Sequence, residues 1–568
     1  MNSETKKCQN CKSEFVIEPE DFKFYEKIKV PVPTFCPKCR LQRRLAFLNI
    51  FDLYERECDL CKKKTISTHP KDSPYIIYCP PCWWSDNWDP LDYGRDYDFS
   101  KPFFEQFNRL WHAVPILGLS LDLPTLRTSP WNNHAGNLKN CYMIFHGDFD
   151  ENSAYGFYLN KNHSLLDTTA AIQTELLYDS MHCYKTSRGV GLRNQVVNSL
   201  DCLFVRYAFN CQNCFASANI RNKKYHIFNK PYTKEGYFEE IKKYDLGSYK
   251  TYQEVRKLAE EHWKKFPPKP KQDDMSIECS GSHVLQSKNC KESLEVVGAE
   301  DSKYLWLMSA PPIKDCYDIS SWGNNIALSY DCCNVGENVS GLKFCQETGI
   351  NLYNAEYCKL STGGSNHFGC VSVKKGDYVI FNKRYSKEEF EKLRMKIIQH
   401  MDEMPYTDKK GRVCKYGEFF PIELSPFAYN ETIANNFFPL SKEEIIENGY
   451  KWREPEIRRH NTTIQSAKLP DHIKDAPDSI LNEVIKCATC EHGYRIIPME
   501  LKFLRERNFP LPRQCPFCRI EEKFNQWVKN LRLIDRVCDK CGAAFQTEFT
   551  REEAPIIYCK KCWQKEFV

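Results

Sequence analysis

Sixteen of the thirty cysteines stand in eight Cys-x-x-Cys pairs, and these pairs occupy only the two ends of the chain. Cys8/Cys11, Cys36/Cys39, Cys58/Cys61 and Cys79/Cys82 lie near the N-terminus; Cys487/Cys490, Cys515/Cys518, Cys538/Cys541 and Cys559/Cys562 lie near the C-terminus. Such a turn sets two thiolates on one side of a tight knuckle, and two facing knuckles close a cage around a tetrahedral ion. At both ends the knuckles are 24 residues apart in the first ribbon and 17 apart in the second. The spacing predicts four structural Zn²⁺ sites, each with four cysteine thiolates, with iron as the competing metal. Four thiolates leave no open position for water, so the expected chemistry is structural rather than hydrolytic.

The two ends are copies beyond their ligands. Aligning Cys8 with Cys487 also aligns Phe15 with Tyr494, Pro19 with Pro498, Lys23-Phe24 with Lys502-Phe503, and Pro31 with Pro510. Aligning Cys58 with Cys538 matches Ile76-Ile77-Tyr78 to Ile556-Ile557-Tyr558 and Trp83 to Trp563. Zinc ribbons are therefore expected over residues 1–50, 51–92, 481–530 and 531–568. Units this small cannot bury enough apolar surface to fold unaided, and a structural zinc supplies on the order of 10–16 kcal/mol. The opening residues Met1-Asn2-Ser3-Glu4 are polar and no 18-residue apolar run follows, which predicts a cytoplasmic protein with no membrane span. In a reducing compartment paired cysteines read as metal ligands rather than disulfides. A net charge of +5 over 568 residues excludes a global polyelectrolyte attraction to nucleic acid.

The elements between the ribbons are repeated too. Lys139-Asn140-Cys141 recurs as Lys288-Asn289-Cys290, and Tyr225-His226-Ile227-Phe228-Asn229-Lys230 as Tyr378-Val379-Ile380-Phe381-Asn382-Lys383. Short apolar runs, such as Cys141-Tyr142-Met143-Ile144-Phe145 and Tyr304-Leu305-Trp306-Leu307-Met308, follow Asn, Asp or Cys at intervals near ten to twelve residues. The expected fold is mainly β with short helices: a duplicated β-solenoid-like core over 138–265 and 275–403, flanked by tandem ribbons. A pair of open antiparallel sheets is the alternative. Residues 93–137 and 404–480 read as connections. In the former, a helix capped at Ser100 carries Phe103, Phe104, Phe107, Leu110 and Trp111 on one stripe and docks as a cap on the end of the solenoid. Thr233, Ser386 with Glu389, and Ser441 with Glu444 mark further helix starts. The fourteen other cysteines, nearly all in the repeats, predict an internal stack; a fifth metal site at Cys211/Cys214 with Cys202 or Cys183 is the alternative.

The N-terminal ribbon, with Lys23-Phe24-Tyr25 and Cys36-Pro37-Lys38-Cys39-Arg40, resembles the "probable zinc-ribbon" domain of bacteria. The whole chain resembles an uncharacterised family of cysteine-rich zinc-ribbon and repeat proteins of candidate-phylum bacteria. The segments that carry this resemblance include Cys82-Trp83-Trp84-Ser85-Asp86, Asp92-Tyr93-Gly94-Arg95-Asp96-Tyr97, Arg221-Asn222-Lys223-Lys224-Tyr225 and Tyr416-Gly417-Glu418-Phe419-Phe420-Pro421. Ser153 and His163 stand where that pattern has cysteine. The resemblance implies architecture and no activity.

Three functions follow as expectations. Basic residues beside the second knuckles (Arg40, Arg43, Arg44, Arg519, Lys523, Lys529 and Arg532), with Phe24, Tyr25 or Trp527 stacking on bases, predict a nucleic-acid partner. A rigid duplicated solenoid with ribbon modules equally predicts a protein-interaction scaffold. A β-helix enzyme acting on polysaccharide is a third reading, with Asp148, Asp150 and Glu151 as its acids. No P-loop, nucleophile elbow or Gly-rich dinucleotide turn is present, so the sequence points to binding without catalysis and without a small-molecule cofactor.

Overall fold

The backbone of the middle of the chain turns a corner every third residue. Asn137, Asn140, Met143, His146, Phe149, Asn152, Tyr155 and Tyr158 all take left-handed φ values between 50° and 60°. Each interrupts an extended run, so four three-residue sides close one coil. Parallel pairing fixes the period at twelve residues where Tyr142 faces Ala154 and Leu200 faces Gln212, and at thirteen where Tyr317 faces Tyr330. The computed structural model describes residues 2–455 and 461–567 and is a β-solenoid protein of about 21 turns with cysteine clusters near both termini. A left-handed corner costs a non-glycine residue roughly 1–2 kcal/mol, least for Asn and Asp, and the interstrand hydrogen bonds of every coil offset that cost.

The residue after each corner points inward. Successive coils contribute Leu138-Cys141-Ile144-Gly147, then Asp150-Ser153-Gly156-Leu159, then Asn162-Leu165-Thr168-Ala171, all buried. The tube is narrow, so bulky and small residues must alternate within a coil. A Cβ on Gly147 would stand 2.4 Å from Ile144, and one on Gly156 the same distance from Leu159. Cysteine suits this interior for a specific reason: its Sγ–H donates to the carbonyl two residues back. Cys141, Cys202, Cys316, Cys332 and Cys345 all do so at 3.2–3.6 Å. Ser153 and Ser180 make the same bond through Oγ, and Ser153 therefore replaces cysteine in the Cys141 column. His163 does not: it lies outside the tube and is exposed. The expected internal stack accounts for Cys202, Cys211 and Cys214, which join no metal-holding group among the described residues. Cys333 and Cys414 are buried outside the tube, Cys333 donating to the Arg44 carbonyl at 3.3 Å.

The chain divides into two compact units, and the division cuts across the order of the modules. The first unit holds Met1–Ser120 and Asp273–Glu454, so the N-terminal ribbons fold with the second repeat. The second unit holds Leu121–Gln272 and Pro455–Val568, so the C-terminal ribbons fold with the first. The sequential picture, in which ribbons bracket the repeats, misses this exchange. In each unit the last coil is closed by a short antiparallel return, Ile227 with Lys230 and Ile380 with Lys383, which covers the open strand edge. Helices then begin as expected at Thr233 and at the Ser386/Glu389 and Ser441/Glu444 boxes. Two expectations need correcting. Coiling starts within 93–137, where Leu121 already bridges Ala135. The aromatic helix Phe103–Ala113 is capped by Pro102, because Ser100 is bound instead into a turn on Asp98. Its Phe103 packs on Tyr357, Phe368 and Phe381 of successive coils, so it lies along the tube's flank rather than across its end.

Asp150 sits inside the tube, where its Oδ1 accepts from the Asn162 backbone N–H and Nδ2 at 3.0 and 2.8 Å. Burial pushes its carboxyl from 3.8 up to about 8, against those bonds. The folded chain thus holds a proton that the unfolded chain releases near pH 4. Stability from this group is present at low pH and falls as pH rises toward 8. Asp150→Asn should remove the slope: urea denaturation between about pH 6 and 8 is expected to show the parent losing about 1–3 kcal/mol that the variant keeps.

Candidate metal centres and their docking faces

Each cage is built the same way from local pieces. A short antiparallel hairpin (Glu4–Lys7 with Glu14–Ile17, or Ile534–Val537 with Ala544–Thr547) carries the first knuckle at its tip. The residue after the second cysteine turns left-handed, as Lys12, Lys62, Glu491 and Gly542 do with φ of 60–73°. The third cysteine ends an extended segment and opens a helix: Pro37–Leu45 after Cys36, Pro80–Trp84 after Cys79, Pro516–Asn530 after Cys515, and Lys560–Phe567 after Cys559. Proline at the first helical position of three of them needs no N–H there, and the helix dipole favours anionic sulfur.

The four groups each bring four Sγ atoms within 4.8 Å of one another. Individual separations are 3.7 Å (Cys11–Cys36), 3.9 Å (Cys61–Cys79), 3.6 Å (Cys490–Cys515) and 3.8 Å (Cys541–Cys559). A tetrahedral ion with metal–sulfur bonds near 2.3 Å requires edges of about 3.8 Å, so the geometry fits a tetrathiolate metal site. Backbone amides prepare the first sulfur of each cage for negative charge. In all four cages the N–H of the third cysteine donates to the Sγ of the first, at 3.2–3.3 Å. For Cys58, burial raises the thiol, but the N–H groups of Cys79, Cys61 and Leu60 outweigh it and hold the pKa at about 7. Cys538 is held at about 6 by the same balance between burial and the amides of Cys559, Lys540 and Cys541.

The residue directly after the fourth cysteine anchors every ribbon. Arg40 follows Cys39, Trp83 follows Cys82, Arg519 follows Cys518 and Trp563 follows Cys562, and each is buried. Arg40 Nη2 reaches Asp318 at 2.8 Å, and its guanidinium lies 5.2 Å from the Tyr304 ring centre. Arg519 repeats this in the other unit, pairing with Asp167 at 2.6 Å and lying 4.6 Å from Tyr155. Each aspartate occupies a left-handed corner. One coil further on, a second corner aspartate meets the next helical turn: Arg44 touches both Asp318 and Asp331, at 3.0 and 2.8 Å, and Lys523 meets Asp179 at 2.8 Å. Four helical residues advance about 6 Å and a coil about 4.8 Å, so residues one turn apart on the helix meet successive coils. Arg43 bridges Asp331 and Glu418, and Arg519 also holds Glu500. Trp83 donates to Ser372 Oγ at 3.4 Å; Trp563 donates to the Pro267 carbonyl at 3.1 Å and packs edge-on to Tyr207.

These placements correct the expected phosphate contacts. Arg40, Arg43, Arg44, Arg519 and Lys523 are all buried and ion-paired on the solenoids. The rings expected to stack on bases are enclosed as well: Phe24 stacks on Tyr317 at 3.8 Å, Tyr25 sits 5.4 Å from Tyr330, and Trp527 lies 5.3 Å from Phe157. Of the predicted basic set only Lys529, paired with Glu553, and Arg532 are exposed. The three acids of the polysaccharide reading do not converge. Asp150 is inside the tube, Glu151 pairs outside with Lys139, and Asp148 accepts from Asn137 Nδ2 at 3.0 Å. The partner carboxylates were missed in the sequence. Their signal was recurrence: the same basic helix positions in both ribbon copies, opposite Asp at matched corners. Compared with family models and with curated proteins, the chain matches none.

Arg519→Met leaves Asp167 and Glu500 buried without their cation. A loss of about 3–5 kcal/mol is expected in the urea denaturation of the metal-loaded chain, with hydrogen exchange rising first in Pro516–Asn530 and the metal content unchanged. Lys529→Ala, which removes a surface pair, should cost less than about 1 kcal/mol.

Proposed function

We propose that the protein is a zinc-stapled solenoid scaffold that binds protein partners on its outer faces and works without catalysing a reaction. The observation that carries this reading is that Arg40, Arg43, Arg44, Arg519 and Lys523, with the rings of Phe24, Tyr25 and Trp527, turn inward onto the solenoids. Ribbons that recognise nucleic acid need those groups on the surface. Four closed tetrathiolate cages suit structural Zn²⁺, which would hold each second-knuckle helix at the angle its anchoring arginine or tryptophan requires. The cages and the cysteine columns both need thiols rather than disulfides, which suits a reducing, cytoplasmic setting. No helix among the described residues is long and apolar enough to cross a membrane.

Metal analysis of the purified chain is expected to give four zinc ions per molecule; stoichiometric iron would overturn the zinc assignment. Anisotropy with labelled single-stranded RNA and duplex DNA is expected to show no tight binding at low salt. Tight binding that falls steeply with salt and disappears on changing Lys529 and Arg532 to Glu would replace the scaffold reading with a nucleic-acid one. A pull-down after nuclease treatment is expected to retain a stoichiometric protein partner.

A further inference from the structure

Within the second unit, a cleft of about 430 Å³ opens where the helix Lys234–Ile241 and the end of the ribbon helix Pro498–Arg507 meet the first solenoid. This is the size of an ordinary small-ligand site. Its apolar wall is aromatic, formed by Tyr237, Phe238, Tyr244 and Phe509, and Phe238 is 45% exposed without a covering element. Its polar side holds two arginines that differ in one respect. Arg188 is neutralised by a two-pronged pair with Asp201, at 2.7 and 2.6 Å. Arg507 makes no hydrogen bond or ion pair with an acceptor among the described residues: Asp201, already held by Arg188, acts on it only from a distance, the Phe509 ring centre lies 5.9 Å from it, and its Nε is buried without a partner. The nearby Asp245 is engaged by Asn508 and His472.

The fold does not require a cation there. In the N-terminal ribbon the same helix ends on the buried Ile28, followed by the left-handed Lys29 just as Arg507 is followed by the left-handed Asn508. A buried guanidinium nitrogen without an acceptor is costly, and an anionic oxygen is the group that relieves it. The cleft therefore offers one uncompensated positive charge beside an aromatic wall. We propose that it binds a monoanionic carboxylate attached to an apolar body, the carboxylate on Arg507 and the apolar part against Tyr237 and Phe238. Such a group is presented by a free organic acid or by the last residue of another chain. The site stands on its own residues, so its failure would leave the scaffold reading intact, and the converse holds.

The test is calorimetric titration of the metal-loaded full chain with three probes. These are N-acetylphenylalanine, which mimics a chain end; 3-phenylpropionate, a free acid; and N-acetylphenylalaninamide, which lacks the charge. At least one acid is expected to bind with Kd of about 1 mM or tighter, and the amide about tenfold more weakly. The tighter acid identifies the source. Arg507→Gln is expected to weaken the acids about tenfold or more while Arg507→Lys keeps part of the affinity. Phe238→Ala, on an exposed side chain, should weaken acids and amide alike. No binding by either acid, or equal binding by Arg507→Gln with unchanged metal content and circular dichroism, overturns the proposal.

Discussion

Stacked aspartates at the corners of adjacent coils are the constraint on which the rest of the structure depends. Asp318 and Asp331 occupy equivalent left-handed corners one coil apart, and so do Asp167 and Asp179. Coil spacing places such carboxylates about 4.8 Å from one another, and all four are buried. Like charges so placed are unfavourable unless cations lie between them. The solenoid does not supply enough: Arg193 reaches Asp179 from within the repeat, and Arg256 and Tyr252 reach it from the helix Tyr249–Trp263, but Lys523 and the cations on the other three aspartates come from the ribbon helices. Each repeat is therefore incomplete until a ribbon pair from the far end of the chain has docked. That accounts for two compact units that exchange their ends.

Metal binding and docking are then one device. A cage fixes the two knuckles, the third cysteine starts a helix, and the residue after the fourth projects from the rigid turn at a set angle. Its identity chooses the contact: arginine in the first ribbon of each pair meets a corner carboxylate, and tryptophan in the second donates its indole N–H, to Ser372 Oγ in one unit and to the Pro267 carbonyl in the other. Buried ion pairs contribute little net stability against a well-packed apolar alternative, but they penalise misdocking heavily. Their contribution here is to register: one helical turn of arginine or lysine per coil of aspartate.

The solenoid obeys a different economy. Three-residue sides leave an interior so narrow that Ile144 and Leu159 crowd Gly147 and Gly156, and polar interior residues such as Ser153 and Asp150 bond to a backbone carbonyl or to Asn162 of the next coil. Thiol and hydroxyl both satisfy that demand, which is why cysteine recurs there without serving a metal. The outward positions are free of the constraint, and the docking rings Tyr155, Tyr304 and Tyr317 and the corner aspartates occupy them.

The metal ligands, the duplicated repeats and the inward cysteines were legible in the sequence because each rests on local spacing. Cys-x-x-Cys closes a knuckle within four residues, and a coil repeats within twelve or thirteen. The same locality made Arg40, Arg43, Arg44, Arg519 and Lys523 read as a basic surface. A charge near a turn is exposed unless something distant covers it, and their partners stand far away in sequence; Asp318 is 278 residues from Arg40. The candidate cleft was equally hidden, since Phe238 and Arg507 approach only when the C-terminal ribbon has docked. By itself the sequence determined which cysteines gather into tetrathiolate groups and how each coil and knuckle folds, because those choices involve neighbours along the chain. Tertiary structure alone decided which ribbon closes which solenoid and which charges are buried, because burial depends on distant surfaces with matching charge and spacing.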